Sequence, residues 1–388
     1  MKKIFCLNKI SPVGLKVLPR SYEVNTETIE NADAIMVRSA VMHEMKLPES
    51  VLCVARAGAG VNNIPLDDYA KSGVVVFNTP GANANAVKEL TIAGMLLAAR
   101  DIRGSMEWVK SNREDETIAK SMEKAKSAFA GNEILGKTIG IIGCGAIGAL
   151  VAQAAGGLGM HVVGVEPSQS TIERYKSLFP TDMEFVSLDE LYERSDYISV
   201  HVPLLDSTKG MINSDSIKKM KSGVNIINCA RDALVNDDDM KEALASGKVH
   251  RYITDFPNYK TANMEGVIAF SHLGASTEEA EDNCAAMAAH EIVDFIECGN
   301  IVNSVNYPAI NLGKPEGKRL VVLHEAVLGG EKIIQTVLSC RNVIKSATAK
   351  KGNYGVTIID FAKKEGEKTC LKEAIHSLSG ILKFRVIE

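Results

Sequence analysis

The stretch "KTIGIIGCGAIGALVAQAAGGLG", Lys137 to Gly159, decides the fold. Its first part, "KTIGIIG", is an apolar run of strand length. Its second, "AIGALVAQAAGGLG", is rich in small residues and long enough for a helix. Gly143, Gly145 and Gly148 stand between and within them in GxGxxG spacing. That spacing is weak by itself and gains meaning where it leaves a strand and opens a helix. Gly143 then permits the tight turn, Gly145 lets backbone approach a pyrophosphate, and Gly148 lets helix and strand pack closely. The helix N-terminus, at Ala146 and Ile147, offers N–H donors and a favourable dipole. An acid should end the next strand, "HVVGVEP", and Glu166 does so 21 residues after Gly145. A carboxylate there accepts from both ribose hydroxyls and repels a 2′-phosphate. No Lys or Arg follows in "EPSQST", so the expected cofactor is NAD rather than NADP. The alternative use of the same glycines is only to pack a helix on a strand.

Reading outward, strands and helices keep alternating through "MEFV", "YISVHVP", "VNIINCA", "RYITDF" and "VIAFSH". This is long enough for a complete doubly wound Rossmann domain, expected over residues 101–284. Residues 1–100 show a second alternation, "KIFCL", "AIMVRS", "CVARAGAG" and "VVVFNTP", expected as the first part of another open parallel sheet. The charged segment 101–131 reads as a solvated helical connection. A helix from Thr277 to about Cys298 supplies the return to the first domain, over 285–305. "NYPAINLGKPEGKR", 306–319, is rich in Pro, Gly and Lys and reads as a linker. Residues 320–388 read as βαββαβ, a small ferredoxin-like unit. The expected class is thus α/β, in three parts.

Composition sets limits. The chain has 388 residues, too many for one ordinary core. A formal net charge of −4 with scattered Lys and Arg gives no electrostatic case for a nucleic-acid partner. No apolar run reaches the ~18 residues of a membrane span, and the N-terminal apolar run is too short for a signal peptide. The eight cysteines form no CxxC pair, so buried free thiols in a reducing cytoplasm are expected, with no disulfide framework and no metal site.

The chemistry-bearing candidates gather at strand ends. Arg231 closes "VNIINCAR", at the edge that faces the ligand crevice of a doubly wound sheet. A guanidinium there can hold a carboxylate and polarise a neighbouring carbonyl. Asp255 closes "RYITD" at the same edge and is a candidate to bind a nicotinamide carboxamide, or a turn aspartate. His272 follows "VIAFS" and is the candidate general acid–base. His201, in "SVHVP", is expected to line the cofactor. In the first domain Arg38 ("VRSA") and Arg56 ("ARAGAGV") could converge on an anionic substrate or form ordinary surface ion pairs.

Taken together, "VRSA", "ARAGAGVNNIPLD", "NTPGANANAVKELT", "GIIGCGAIG", "HVPLLDSTKGMI", "INCARDALV" and "SHLGASTEEAEDNC" resemble the D-isomer-specific 2-hydroxyacid dehydrogenase family over almost the whole chain. The resemblance implies a flavodoxin-like substrate domain, and hydride transfer between NAD and a small anionic, phosphorylated 2-hydroxy or 2-keto acid. The implied pair is 3-phospho-D-glycerate and 3-phosphohydroxypyruvate. It implies Arg231 and His272 as catalytic residues. It implies dinucleotide contacts at Gly143, Gly145, Ala146, Ile147, Gly148, Glu166, His201, Val202, Pro203, Cys229, Ala230, Asp255 and Gly274. Substrate contacts are implied at Arg38, Ser39, Arg56, Gly58, Ala59, Gly60 and Val61, with a homodimer or homotetramer as the assembly.

Three departures stand out. The family's catalytic Glu has no counterpart. Three readings stay open: Lys260, which occupies its place by count; Glu265, the one glutamate nearby, in a loop that allows 17 positions from Asp255 to His272; or a His272 that works unpartnered with its proton held by solvent. Asp232 stands where the family has Gly, and Glu166 where Asp is commoner. The C-terminal unit resembles an ACT domain, with "LHEAVLGG" in place of a serine-binding HENxPG run. His324 is kept, while Ala326 and Leu328 replace Asn and Pro, so serine feedback is not expected. The competing readings are another 2-hydroxyacid dehydrogenase, for hydroxypyruvate or 4-phosphoerythronate, and an NAD-sensing corepressor scaffold.

Overall fold

The computed structural model describes residues 1–362 and 371–388. It divides into two compact units, Met1–Asn83 with Glu278–Glu388, and Ala84–Thr277.

The first unit opens with β1 (Lys2–Cys6), β2 (Tyr22–Asn25), β3 (Ala34–Val37), β4 (Cys53–Arg56) and β5 (Val75–Asn78). They form a five-stranded parallel sheet in the order β2-β1-β3-β4-β5, the flavodoxin-like winding. Side chains alternate across it with period two. Ala34, Met36, Cys53, Ala55, Val75 and Phe77 face one core, while Ile35, Val37, Val54 and Val76 face the other. The first face mixes small residues with Met36, Val75 and Phe77, and the helix Glu278–Cys298 lies against it through Cys284, Ala285, Ala288, Ala289, Ile292 and Phe295.

The second unit carries β6 (Thr138–Ile142), β7 (His161–Val165), β8 (Glu184–Phe185), β9 (Tyr197–Val200), β10 (Val224–Asn228), β11 (Val249–Thr254) and β12 (Val267–Ala269). All pair in parallel, in the order β12-β11-β10-β9-β6-β7-β8. The order reverses between β6 and β9, and a doubly wound sheet binds its ligand at such a switch point.

Two boundaries differ from the sequence reading. The helix Ala84–Ala99, expected in the first domain, belongs to the second unit, where Val87, Met95 and Ala98 pack with Ile227 and Ile253. The other boundary falls at Thr277 rather than 284, because Glu278–Cys298 is one uninterrupted helix whose small-residue face covers the first sheet. Within 101–131, the helices Ile102–Ser111 and Ile118–Ala125 contain no buried residue.

The C-terminal segment forms β13 (Lys318–Glu325), β14 (Asn342–Lys351), β15 (Tyr354–Ala362) and β16 (Ile381–Ile387), a four-stranded antiparallel sheet in the order β14-β15-β13-β16. With the helices Gly330–Cys340 and Leu371–His376 this is the ferredoxin-like arrangement. Leu320, Val322, Ile359 and Phe361 face those helices. Leu323, Val356 and Ile358 face the other way and join the core of the first unit. Arg385 donates to the carbonyl oxygens of Phe295 and Ile296 at the end of the long helix, and stacks 4.7 Å from the Phe295 ring centroid. Orphan C-terminal carbonyls and a cation are natural partners.

Residues 306–319 are therefore no free linker. The Asn306 amide bonds to Val76 N and Val74 O, Tyr307 Oη donates to Ala70 O, and Arg319 forms a fully buried pair with Asp360 at 2.5 Å. Composition marks the segment as irregular; burial of these three side chains makes it structural. His324 is buried as well, with Nδ1 on Glu325 O and Nε2 on Thr357 Oγ1, so both ring nitrogens serve the sheet. Seven cysteines are free thiols, and burial pushes Cys144 and Cys229 up to about 12; Cys370 lies outside the described residues.

Candidate active site

The glycine loop sits at the C-terminal end of β6, where the strand order reverses. Gly143 has φ +92°, a conformation side chains disfavour. A Cβ at Gly148 would collide with the Gly143 carbonyl oxygen, so only glycine lets the helix Ala146–Gly157 start this close to the strand. A Cβ at Gly145 would meet nothing within 4 Å, which leaves open space over the helix N-terminus. Glu166 stands beside it: Oε2 accepts from Cys144 N at 3.1 Å and Oε1 from Ser168 N at 3.0 Å. Each carboxylate oxygen keeps a lone pair for a ribose hydroxyl. The open cradle, the N–H donors of the first helical turn and this acid fit a dinucleotide.

Other expected cofactor-lining residues surround the loop. His201 Nε2 shares a hydrogen bond of 2.8 Å with Ser199 Oγ, and burial pulls its pKa down to about 4, so it is neutral at physiological pH. Val202 lies against Gly143, and Pro203 O accepts from Thr208 Oγ1. At the end of β10, Cys229 is buried, followed by Ala230 and the exposed Arg231. Their loop is shaped by Asn228, a residue the sequence reading passed over. Its Oδ1 accepts from Ala230 N and Arg231 N, and its Nδ2 donates to Arg231 O at 2.8 Å. An Asn closing an apolar strand is the signal that could have found it.

His272 has φ +59° and is one of two non-glycine residues with positive φ among those described. Such a conformation costs about 1–3 kcal/mol and needs support. The support is Asp255, which is 1% exposed. Its Oδ1 accepts from Leu273 N at 2.7 Å and its Oδ2 from Gly274 N at 2.8 Å. This gives Asp255 a structural role that the sequence reading did not foresee. Buried beneath the histidine loop, it holds that loop, and each of its oxygens keeps a lone pair for a further donor. Next to it, the Phe256 ring lies 4.6 Å from the His272 ring and 5.7 Å from the Arg231 guanidinium carbon.

Neither expected helper of His272 hydrogen-bonds its imidazole. Lys260 Nζ sits between both carboxylate oxygens of Asp238, at 2.8 Å each, and this contact raises its pKa. Glu265 precedes β12 whereas His272 follows it. At ~3.3 Å per extended residue the three residues of β12 alone hold them on the order of 10 Å apart, at opposite ends of the strand. A swing of Glu265 to the imidazole is therefore ruled out by the direction of the strand. Asp232, the replacement for glycine, is bridged to Asp237 by Asn258 Nδ2, which ties the Arg231 loop to the loop after β11.

In the first unit, Val37 pairs with Arg56 across adjacent strands, so Arg38 and Arg56 leave the sheet side by side. Arg56 Nε donates to Arg38 O at 3.0 Å, and Arg38 meets Glu281 at 2.6 Å. The chain then runs through Gly58, Ala59, Gly60 and Val61. A Cβ at Gly58 would collide with the Arg56 guanidinium, and Ala59 O accepts from Asn78 Nδ2. Ser39 is exposed beside Arg38.

The family model for the D-isomer specific 2-hydroxyacid dehydrogenase NAD binding domain matches residues 92–274. The chain is 34% identical over 343 residues to D-3-phosphoglycerate dehydrogenase of Bacillus subtilis, covering 84% of this chain and 62% of that one. It is 36% identical over 265 residues to hydroxypyruvate reductase of Thermotoga maritima, covering 65% of this chain and 81% of the relative. The chain thus spans about three fifths of the length of the Bacillus phosphoglycerate dehydrogenase, 62%. Among solved structures, NAD+-bound 3-phosphoglycerate dehydrogenase of Entamoeba histolytica superposes with a TM-score of 0.61 at 28% identity, over 79% of this chain and 98% of that one. The matched domain, the glycine cradle and the coverage of the Thermotoga relative agree: the chain belongs to the D-isomer specific 2-hydroxyacid dehydrogenase family.

Proposed function

We propose that the protein is an NAD-dependent dehydrogenase that interconverts 3-phospho-D-glycerate and 3-phosphohydroxypyruvate. The observation that carries the redox half of this reading is the gathering of Arg231 and His272 at the crevice edge of β10 and β12, around Phe256, in the sheet that bears the glycine cradle. The phosphate half rests on Arg38 and Arg56, two guanidinium groups leaving neighbouring strands. Bidentate cations of this kind suit phosphate and carboxylate groups.

NAD, when bound, supplies the hydride acceptor at its nicotinamide ring. The residues do the rest. His272 takes the proton of the substrate hydroxyl during oxidation and returns it to the keto oxygen in the reverse direction. Arg231 holds the carboxylate and polarises the adjacent C=O, stabilising negative charge as it develops on that oxygen. Asp255 acts through the backbone, keeping His272 in its left-handed conformation. Lys260 is the helper candidate that remains at the crevice edge. Its pair with Asp238 is exposed and screened by solvent, so the ammonium can be released at small cost.

Steady-state rates with NADH separate this reading from hydroxypyruvate reduction. The expected result is kcat/KM for 3-phosphohydroxypyruvate at least about tenfold above that for hydroxypyruvate, a difference of about 1.4 kcal/mol in transition-state binding. Equal values for the two keto acids would refute the phosphate assignment.

A further inference from the structure

Resting on the dehydrogenase reading above, we propose that Phe256 is the positioning residue that stands in for the missing carboxylate partner of His272. It would orient the imidazole by ring contact and hold the Arg231 guanidinium beside it.

The geometry leads here step by step. A general acid–base histidine ordinarily has its ring orientation and tautomer fixed by a hydrogen bond to its second nitrogen. Within residues 84–277 no side chain hydrogen-bonds the His272 imidazole; Ser276 Oγ donates instead to the His272 carbonyl oxygen. The backbone is nevertheless pinned by Asp255 through the two following amides. Backbone pinning leaves rotation of the side chain itself undetermined. The Phe256 ring addresses that freedom: its centroid is 4.6 Å from that of the imidazole, with the planes inclined at 46°. The same ring has the Arg231 guanidinium carbon 5.7 Å from its centroid. Phe256 itself is set by its place directly after the buried Asp255, and its amide donates to Thr254 Oγ1 at 3.1 Å. Consecutive residues therefore divide the task, with Asp255 fixing the loop and Phe256 fixing the ring.

The arrangement has a chemical consequence. An aromatic face attracts a cation. It accordingly favours both the guanidinium and the protonated imidazole that forms when His272 takes the hydroxyl proton. It does this without the fixed negative charge that a carboxylate would place beside the anionic substrate.

The test compares wild type with Phe256→Leu and Phe256→Tyr, using two readouts. In the protein without substrate, the ring-proton NMR resonances of His272, assigned with His272→Ala, should lie upfield through the Phe256 ring current. They should stay so in Phe256→Tyr and move to exposed-histidine positions in Phe256→Leu. In the steady state, Phe256→Leu should lower kcat about threefold to tenfold, the worth of one aromatic contact converted at 1.36 kcal/mol per tenfold, with KM within about twofold and Phe256→Tyr restoring the rate. Resonances at exposed positions already in the wild type would overturn the proposal, whether or not any variant folds. So would a Phe256→Leu protein that keeps both the upfield resonances and the wild-type kcat. An inactive wild type with upfield His272 resonances would instead strike the dehydrogenase reading and leave the ring contact standing.

Discussion

His272→Ala is expected to lower kcat by about 10²–10⁴-fold, the usual contribution of a positioned general acid–base, while NADH binding stays near wild type. The effect should be confined to chemistry because the side chain is exposed and contributes little to the core. Its left-handed φ of +59° also suggests that alanine leaves the loop no worse than before, since either residue must be held there by Asp255. Glu265→Ala, at the far end of β12, should keep the wild-type rate in the same assay. NADH titration by fluorescence and thermal melting of the variant show whether the loss is one of catalysis. A His272→Ala protein that retains more than about a tenth of the wild-type kcat would mean that another group moves the proton.

Asp255→Asn is expected to have the second large effect, on stability and rate together. In the native protein both carboxylate oxygens accept from backbone amides, at 2.7 and 2.8 Å, in a site that is 1% exposed. Asparagine offers one oxygen and one amino group, so one of the two backbone N–H groups would face another donor. Losing a charge-assisted bond costs about 1.5–3 kcal/mol, and a buried unsatisfied group about 1–3 kcal/mol. A net destabilisation of about 2.5–6 kcal/mol follows, read as a lower denaturant midpoint at unchanged slope. The rate falls with it, because His272 loses the support for its strained conformation. If Asp255 also binds the carboxamide, the variant shows a raised KM for NADH in addition to the lower denaturant midpoint; a variant that melts like the wild type would contradict the loop-holding role. The two outcomes are readily told apart.

Part of this was legible in the sequence for clear physical reasons. GxGxxG between an apolar run and a small-residue helix, with Glu166 at the next strand end, is a local pattern whose meaning depends on a few consecutive residues. Arg231 and His272 could be placed because residues closing apolar parallel strands face the crevice. What escaped depends on contacts between distant segments. Asp255 meets its partners 18 and 19 positions later, and a strand-end aspartate offers no local hint of which N–H groups it will find. The helix Ala84–Ala99 is apolar around much of its circumference, so periodicity did not show which sheet it would cover. Segment 306–319 has the composition of a linker, yet the burial of Asn306, Tyr307 and Arg319 is decided by partners elsewhere in the chain, at Val74, Val76, Ala70 and Asp360. Lys260 was placed by counting along the sequence, and counting cannot foresee Asp238.

The most direct test of the central claim is the formation of NADH from NAD when the purified protein is given 3-phosphoglycerate as separate D and L enantiomers. The account predicts NADH and 3-phosphohydroxypyruvate from the D form, essentially none from the L form, and none above background from His272→Ala. Folded protein that binds NAD and yet produces no NADH from the D enantiomer would contradict it.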